Sequence, residues 1–216
     1  MELATPEVNA SAPAPGGVDV AGWLGEGWRM FWSAPAVFAL SAAIVAATIL
    51  IFSYVPLGPL FVSGPLIIGY YFIVMDHADG KPFVPARLFG GFRFFLGALA
   101  ANILIGVFTA IGFVFLILPG LVVTSWYMFT FIFVADRGAG FWEAMEASRK
   151  MARTDMVGFF LFYMSLIAIN ILGALCLVVG LFVSVPVSAL SLFAAYRRCV
   201  GRTVSPAPAS AGMADA

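Results

Sequence analysis

Residue types able to do chemistry are few in this chain, and they are scattered. The single histidine, His77, stands in Asp76-His77-Ala78-Asp79, groups that can hold a cation or move a proton but whose spacing matches no specific metal motif. A catalytic reading would need Asp76, His77, Asp79 and Asp136 to come together at one face. Cys176 and Cys199 have no second thiol or histidine close in sequence, so they read as small apolar packing residues. No paired carboxylates in a defined frame, no Ser/His/Asp arrangement and no phosphate-cradling glycine loop is recognisable. The expectation is a chain that is not an enzyme and takes no cofactor or metal.

The elements that must position these residues follow from the placement of charge. Eleven basic and eleven acidic residues fall in four clusters. Between them Met30–Met75, Phe94–Ala135 and Met156–Tyr196 carry no Asp, Glu, Lys or Arg. A membrane crossing takes about 20 apolar residues, so each run accommodates two. A mean hydropathy of +1.04 and only 10% charged residues exclude an ordinary water-soluble domain, in which about a quarter are charged. The fold class expected is all-α: a polytopic membrane protein with six transmembrane helices arranged as three hairpins, plus short interfacial helices.

Residues 1–18 and 203–216 read as disordered tails flanking one membrane domain, 19–202. The first tail holds Glu2 and Glu7 but no Lys or Arg, so no cleavable signal is expected and the first span acts as an uncleaved anchor. Asp19 is placed to cap a helix over 19–33 whose apolar stripe is Val20, Trp23, Leu24, Gly27, Trp28 and Phe31. Trp23, Trp28 and Trp32 suit the headgroup region. Spans are expected at about 36–55, 60–75, 95–118, 121–135, 157–180 and 183–196. In each hairpin a long limb precedes a short one, and the short limb of about 15 residues would reach only about 22 Å. Pro65 implies a kink or a late helix start. Ala42, Ala43, Ala46 and Ala47 form small-xxx-small pairs suited to close helix approach. Residues 138–153 form a second interfacial helix, with Glu146 and Lys150 at i,i+4.

All the basic residues flank one face: Arg29, Lys81, Arg87, Arg93, Arg137, Arg149, Lys150, Arg153, Arg197, Arg198 and Arg202. The positive-inside rule makes that face cytoplasmic, with both termini inside a bacterial inner membrane. Arg149, Lys150, Arg153, Arg197 and Arg198 are the basic residues expected to face anionic lipid. Inside the spans the strongest polar groups are Asn102 and Asn170, candidate intramembrane contacts that either bond across helices or line a polar site. Membrane lipids are the expected partners, with a second copy or another membrane protein as further candidates and no nucleic acid.

Gly64-Pro65-Leu66 with Gly69, Leu88-Phe89-Gly90-Gly91-Phe92, Leu118-Pro119-Gly120, Ala144–Ser148 and Pro186–Tyr196 together form a layout that resembles a broad bacterial group of six-span membrane proteins. The layout is similar to the membrane domain of membrane-bound glycerophosphodiester phosphodiesterases. The resemblance implies a fold and a location over about residues 20–200. It does not carry the phosphodiesterase activity, because the hydrolase domain has no counterpart here. The function expected is a non-catalytic scaffold or membrane-organising protein. The alternative is a transporter or channel for a small or lipid-like solute, lined by Asn102, Asn170 and backbone freed at the Pro/Gly breaks.

Overall fold

The computed structural model describes residues 17–115, 117–176 and 180–201. The expected tails, apart from Gly17 and Val18, lie outside the described residues, as do Arg202 and residues 177–179 at the third break. The described residues are 86% helical, with no strand among them. In order come α1 (Val20–Ser33), α2 (Pro35–Phe52), α3 (Gly58–Ala78), a 3-10 segment (Pro85–Phe94), α4 (Phe95–Phe115), α5 (Ile117–Tyr127), α6 (Thr130–Arg137), α7 (Phe141–Thr154), α8 (Met156–Leu175) and α9 (Leu181–Cys199).

Local chemistry explains where these elements begin and end. Asp19 accepts the Gly22 amide at 2.8 Å and opens α1. Asp155 accepts the Gly158 amide at 2.9 Å to open α8, and its other oxygen takes Val18 N–H at 3.3 Å. Pro35 and Pro59 sit in the first turns of α2 and α3, where a missing N–H costs nothing. α6 stops at Gly138, whose φ of 64° closes the last turn through its amide and the Val134 carbonyl.

Five stretches are long and apolar enough to cross a membrane: Pro35–Phe52, Gly58–Ala78, Pro85–Val114, Leu118–Arg137 and Met156–Leu175. The expected short limbs are not short. α3 runs on through Asp76 and His77, and α6 through Asp136 and Arg137. A charge ends the apolar run without ending the helix, so reading spans up to the first charge undercounts their length. Pro65 lies inside α3 rather than at a late start. α9 has comparable length but carries Ser184, Pro186, Ser188, Ser191, Arg197 and Arg198. It can be less apolar because most of its inner face is buried in protein.

The helices form an inner and an outer set. Only 11% of the apolar stretch of α2 and 22% of that of α8 is buried, against 67% for α3. α3, α6 and α9 are the inner helices; Phe133, Phe193 and Tyr196 fill the space where they meet. Buried serines are satisfied locally: Ser41 of α2 and Ser191 of α9 donate to carbonyls four residues back. The buried hydroxyls of Tyr70 on α3 and Thr130 on α6, by contrast, have no hydrogen-bond partner among the described residues.

The packing pattern repeats three times and closes on itself. Each unit is a surface element, an outer helix and an inner helix: α1–α3, the 3-10 segment to α6, and α7–α9. Each surface element packs mainly on the inner helix of the preceding unit: the 3-10 segment on α3, α7 on α5 and α6, and α1 on α9. The crossings are backbone-close. A Cβ on Gly69 would collide with the Leu88 carbonyl, one on Gly91 with the Pro65 carbonyl, and one on Gly27 with Ser191. At the third crossing Ser148 does the equivalent work with its side chain. It donates to the Trp126 carbonyl at 2.7 Å and accepts the Phe129 amide at 3.2 Å. That amide starts α6, so Ser148 fills the gap between α5 and α6.

Gly27→Ala should therefore destabilise the detergent-solubilised protein by about 1–3 kcal/mol, the cost of overpacking a tight contact. Gly25→Ala, where a Cβ meets nothing within 4 Å, should be neutral or stabilising by up to about 1 kcal/mol. Thermal unfolding of the two variants side by side checks this.

Candidate functional site

A groove of about 710 Å³ runs between α2 and α8, with α3 and α9 as its floor. Its size lies within the roughly 300–1,000 Å³ typical of ligand pockets. The walls are apolar: Val45 and Ile49 of α2, Ile67 of α3, Ile167 and Ile171 of α8, and Leu192 of α9 are typical. Ala42 and Ala46, half of the alanine set expected to seat a neighbouring helix, line this space instead. At the end nearest the charged face α1 lies across the helices. Trp23 packs on Phe162 at 5.1 Å and on Phe159 at 5.8 Å, T-shaped and tilted.

Asn170 stands in the groove wall, already engaged. Its amide donates to Leu166 O and Ser188 Oγ, both at 2.8 Å, and its carbonyl accepts Ser184 Oγ–H at 3.2 Å. Asn102 lies away from the groove and ties α4 to α3, donating to Leu60 O at 3.1 Å and Ser63 Oγ at 2.9 Å. The two amides are therefore in separate places, each bonded within the protein.

The residues of a catalytic or metal reading divide between two small clefts at the charged face. Asp76 and His77 share one, of about 20 Å³, with Lys81. Asp79 and Asp136 share the other, of about 50 Å³, with Tyr196 and Arg197. Asp76 is held by Arg87 at 2.6 and 3.2 Å and by Lys81 at 3.5 Å. His77 Nε2 lies 2.9 Å from Ser33 Oγ, and its ring packs edge-on to Phe38. Asp136 accepts the Tyr196 hydroxyl at 2.7 Å. Among the described residues no three His, Cys, Asp or Glu side chains converge as a metal site.

The expected lipid-facing basic residues fare differently from one another. Arg149 grips Glu146 through two bonds of 2.9 and 2.8 Å, while Lys150 stays 3.9 Å away. The hydrogen bond and charge of Arg149 hold the Glu146 carboxyl below its usual range. Arg198 is bound to Glu26 of α1 at 2.9 Å. Arg197 lies over the Phe193 ring at 5.5 Å, and Arg153 is exposed. Of the three tryptophans of α1, Trp23 is buried at 3% exposure, whereas Trp28 and Trp32 are open at 48% and 58%.

Sequence reasoning missed the crossings and their ion pairs. Gly69, Phe129 and Ser191 mark one register on the inner helices, followed seven residues later by Asp76, Asp136 and Arg198. Asp76 and Arg198 thus hold equivalent places on the inner helices with opposite charge, and each pairs with a surface element, Asp76 with Arg87 and Arg198 with Glu26. The signal was present as an internal repeat of roughly 60 residues, in which a small residue precedes a basic one by two positions. It is short, and it surfaces once the crossings are aligned.

No family model matches the chain, and no solved structure matches it. It is similar to an uncharacterised protein of Mycobacterium bovis and to two of Mycobacterium tuberculosis strains, each 30% identical over 138 residues. The match takes in 62% of this chain and 42% of each relative, so the chain spans less than half the length of the relatives it matches.

Asn102→Leu should lower stability by about 0.6–2 kcal/mol, the usual worth of an interhelical hydrogen bond in a membrane. Asn170→Leu should do the same. Unfolding of the two variants in detergent measures it; unchanged stability in both would contradict a structural role.

Proposed function

We propose that this chain is a six-span inner-membrane protein of non-catalytic, membrane-organising type, with both termini cytoplasmic and a lipid chain held in the α2/α8 groove. The observation that carries this reading is the apolar groove between two sparsely buried helices, whose one asparagine, Asn170, is already bonded inside the protein. Such a space lies open to hydrocarbon and offers little to a polar solute. In this reading α9 is the sixth span, shielded from lipid by the other helices. The three charge-free runs cross and return, leaving every charge on one side. The likeness to phosphodiesterase membrane domains is carried here as one of architecture alone.

A second reading, transport of a lipid-like solute, draws on Asn170 and Ser188 in the wall of the same groove. The two readings differ in what moves. A phosphatidylcholine with a photoreactive group midway along one acyl chain should crosslink to α2 and α8 in membranes. Filling the groove with Ala46→Phe and Ala189→Phe should abolish that crosslink while the helical content is kept. In proteoliposomes a fluorescent lipid analogue should cross between leaflets no faster than in protein-free vesicles. Faster crossing that the filled variant loses would favour transport over organisation. Crosslinking that the filled variant retains would remove the groove from the account.

A further inference from the structure

The repeat places one local pattern at the same register in all three surface elements. Gly27, Gly91 and Ser148 are buried against an inner helix. The residues that follow are Trp28–Arg29, Phe92–Arg93 and Arg149–Lys150, and all but the half-buried Arg149 are exposed. The second is basic each time: Arg29, Arg93 and Lys150. An exposed aromatic ring lies on every element, Trp28 on α1, Phe92 on the 3-10 segment and Trp142 on α7, as suits the headgroup layer.

Two of these three cations, Arg29 and Arg93, differ from most of their neighbours in what they face. Lys81 and Arg87 meet Asp76, Arg198 meets Glu26, and Arg149 grips Glu146. Arg29 and Arg93 have no carboxylate within 4 Å among the described residues. Arg93 is held over Phe72 at 4.8 Å and over Phe94 at 4.7 Å, which fixes the guanidinium plane and leaves its edge to donate. Lys150 has only a loose ion pair with Glu146 at 3.9 Å, and Arg149 already donates to both oxygens of that carboxylate.

We propose that Arg29, Arg93 and Lys150 are three equivalent stations, each holding the phosphate of one anionic phospholipid headgroup at the charged face. The chemistry is an exposed cation on an element that also carries an exposed aromatic ring at headgroup depth, matched by charge to a lipid with net negative charge. The proposal rests on the membrane reading above and adds to it a stoichiometry and a headgroup preference.

The test is native mass spectrometry of the full chain in a neutral detergent, titrated with phosphatidylglycerol or with phosphatidylcholine. The wild type should retain up to three phosphatidylglycerol molecules of similar affinity and no comparable set of phosphatidylcholine. Arg29→Gln, Arg93→Gln and Lys150→Gln should each remove one, and the triple variant all three, while Arg153→Gln removes none. The single variants keep the question open to measurement should the triple variant fail to fold. Unchanged retention in the three single variants, or an equal loss in Arg153→Gln, would overturn the stations. Carbonate extraction of membranes separates the two levels. A chain released by carbonate overturns the membrane reading itself, whereas an embedded chain without selective retention overturns only the stations.

Discussion

The fold depends on backbone meeting backbone where each surface element crosses an inner helix. Between helices in hydrocarbon there is no hydrophobic drive, so association comes from close packing and hydrogen bonds. Gly69 with Leu88, Gly91 with Pro65 and Gly27 with Ser191 permit contact that any larger residue would hold apart. Ser148 reaches the same end by bonding to the backbone between α5 and α6. These crossings join each unit to the one before it. The last of them, α1 on α9, joins the two ends of the chain and closes the ring.

Closure explains how polarity is distributed. The inner helices are screened by the outer ones, so α9 tolerates serines, a proline and two arginines. The outer helices leave most of their apolar surface exposed and are among the most apolar, as in α2 and α4. Charges collect where inner helices emerge, and the ion pairs Asp76–Arg87 and Glu26–Arg198 tie that rim to the surface elements. Partly exposed pairs of this kind contribute at most about 1 kcal/mol each. They fix register more than they supply stability, and tight packing at the crossings carries the larger share.

The helical membrane class was legible in the sequence because hydrocarbon excludes charge, and three long charge-free runs leave few other solutions. Helix ends were less legible. Asp76 and Asp136 end an apolar run but not the helix that carries it, so α3 and α6 extend past the expected limits. Asn102 and Asn170 stood out as the polar groups of the spans, yet their partners Ser63, Ser184 and Ser188 were hidden, since a serine in a span commonly bonds its own helix. Gly27 was legible only as a position on the apolar stripe of the first helix. Nothing in its neighbours says that Ser191, at the far end of the chain, presses against it. The groove was illegible for a related reason: Ala42 and Ala46 permit a close helix, but only the placement of α8 decides whether one comes.

The central claim is that every charged cluster lies on one side of a bilayer crossed six times. It is tested most directly by thiol labelling with a membrane-impermeant reagent in intact cells and in inverted vesicles. In a Cys199→Ala background the native, exposed Cys176 reports on the third turn. With Cys176 also replaced, Tyr54→Cys and Leu118→Cys report on the other two turns, and both positions are exposed. Lys81→Cys and Trp142→Cys report on the charged face. The account predicts labelling of 54, 118 and 176 only from outside, and of 81 and 142 only from inside. Labelling of any turn from the same side as residue 81 would contradict it.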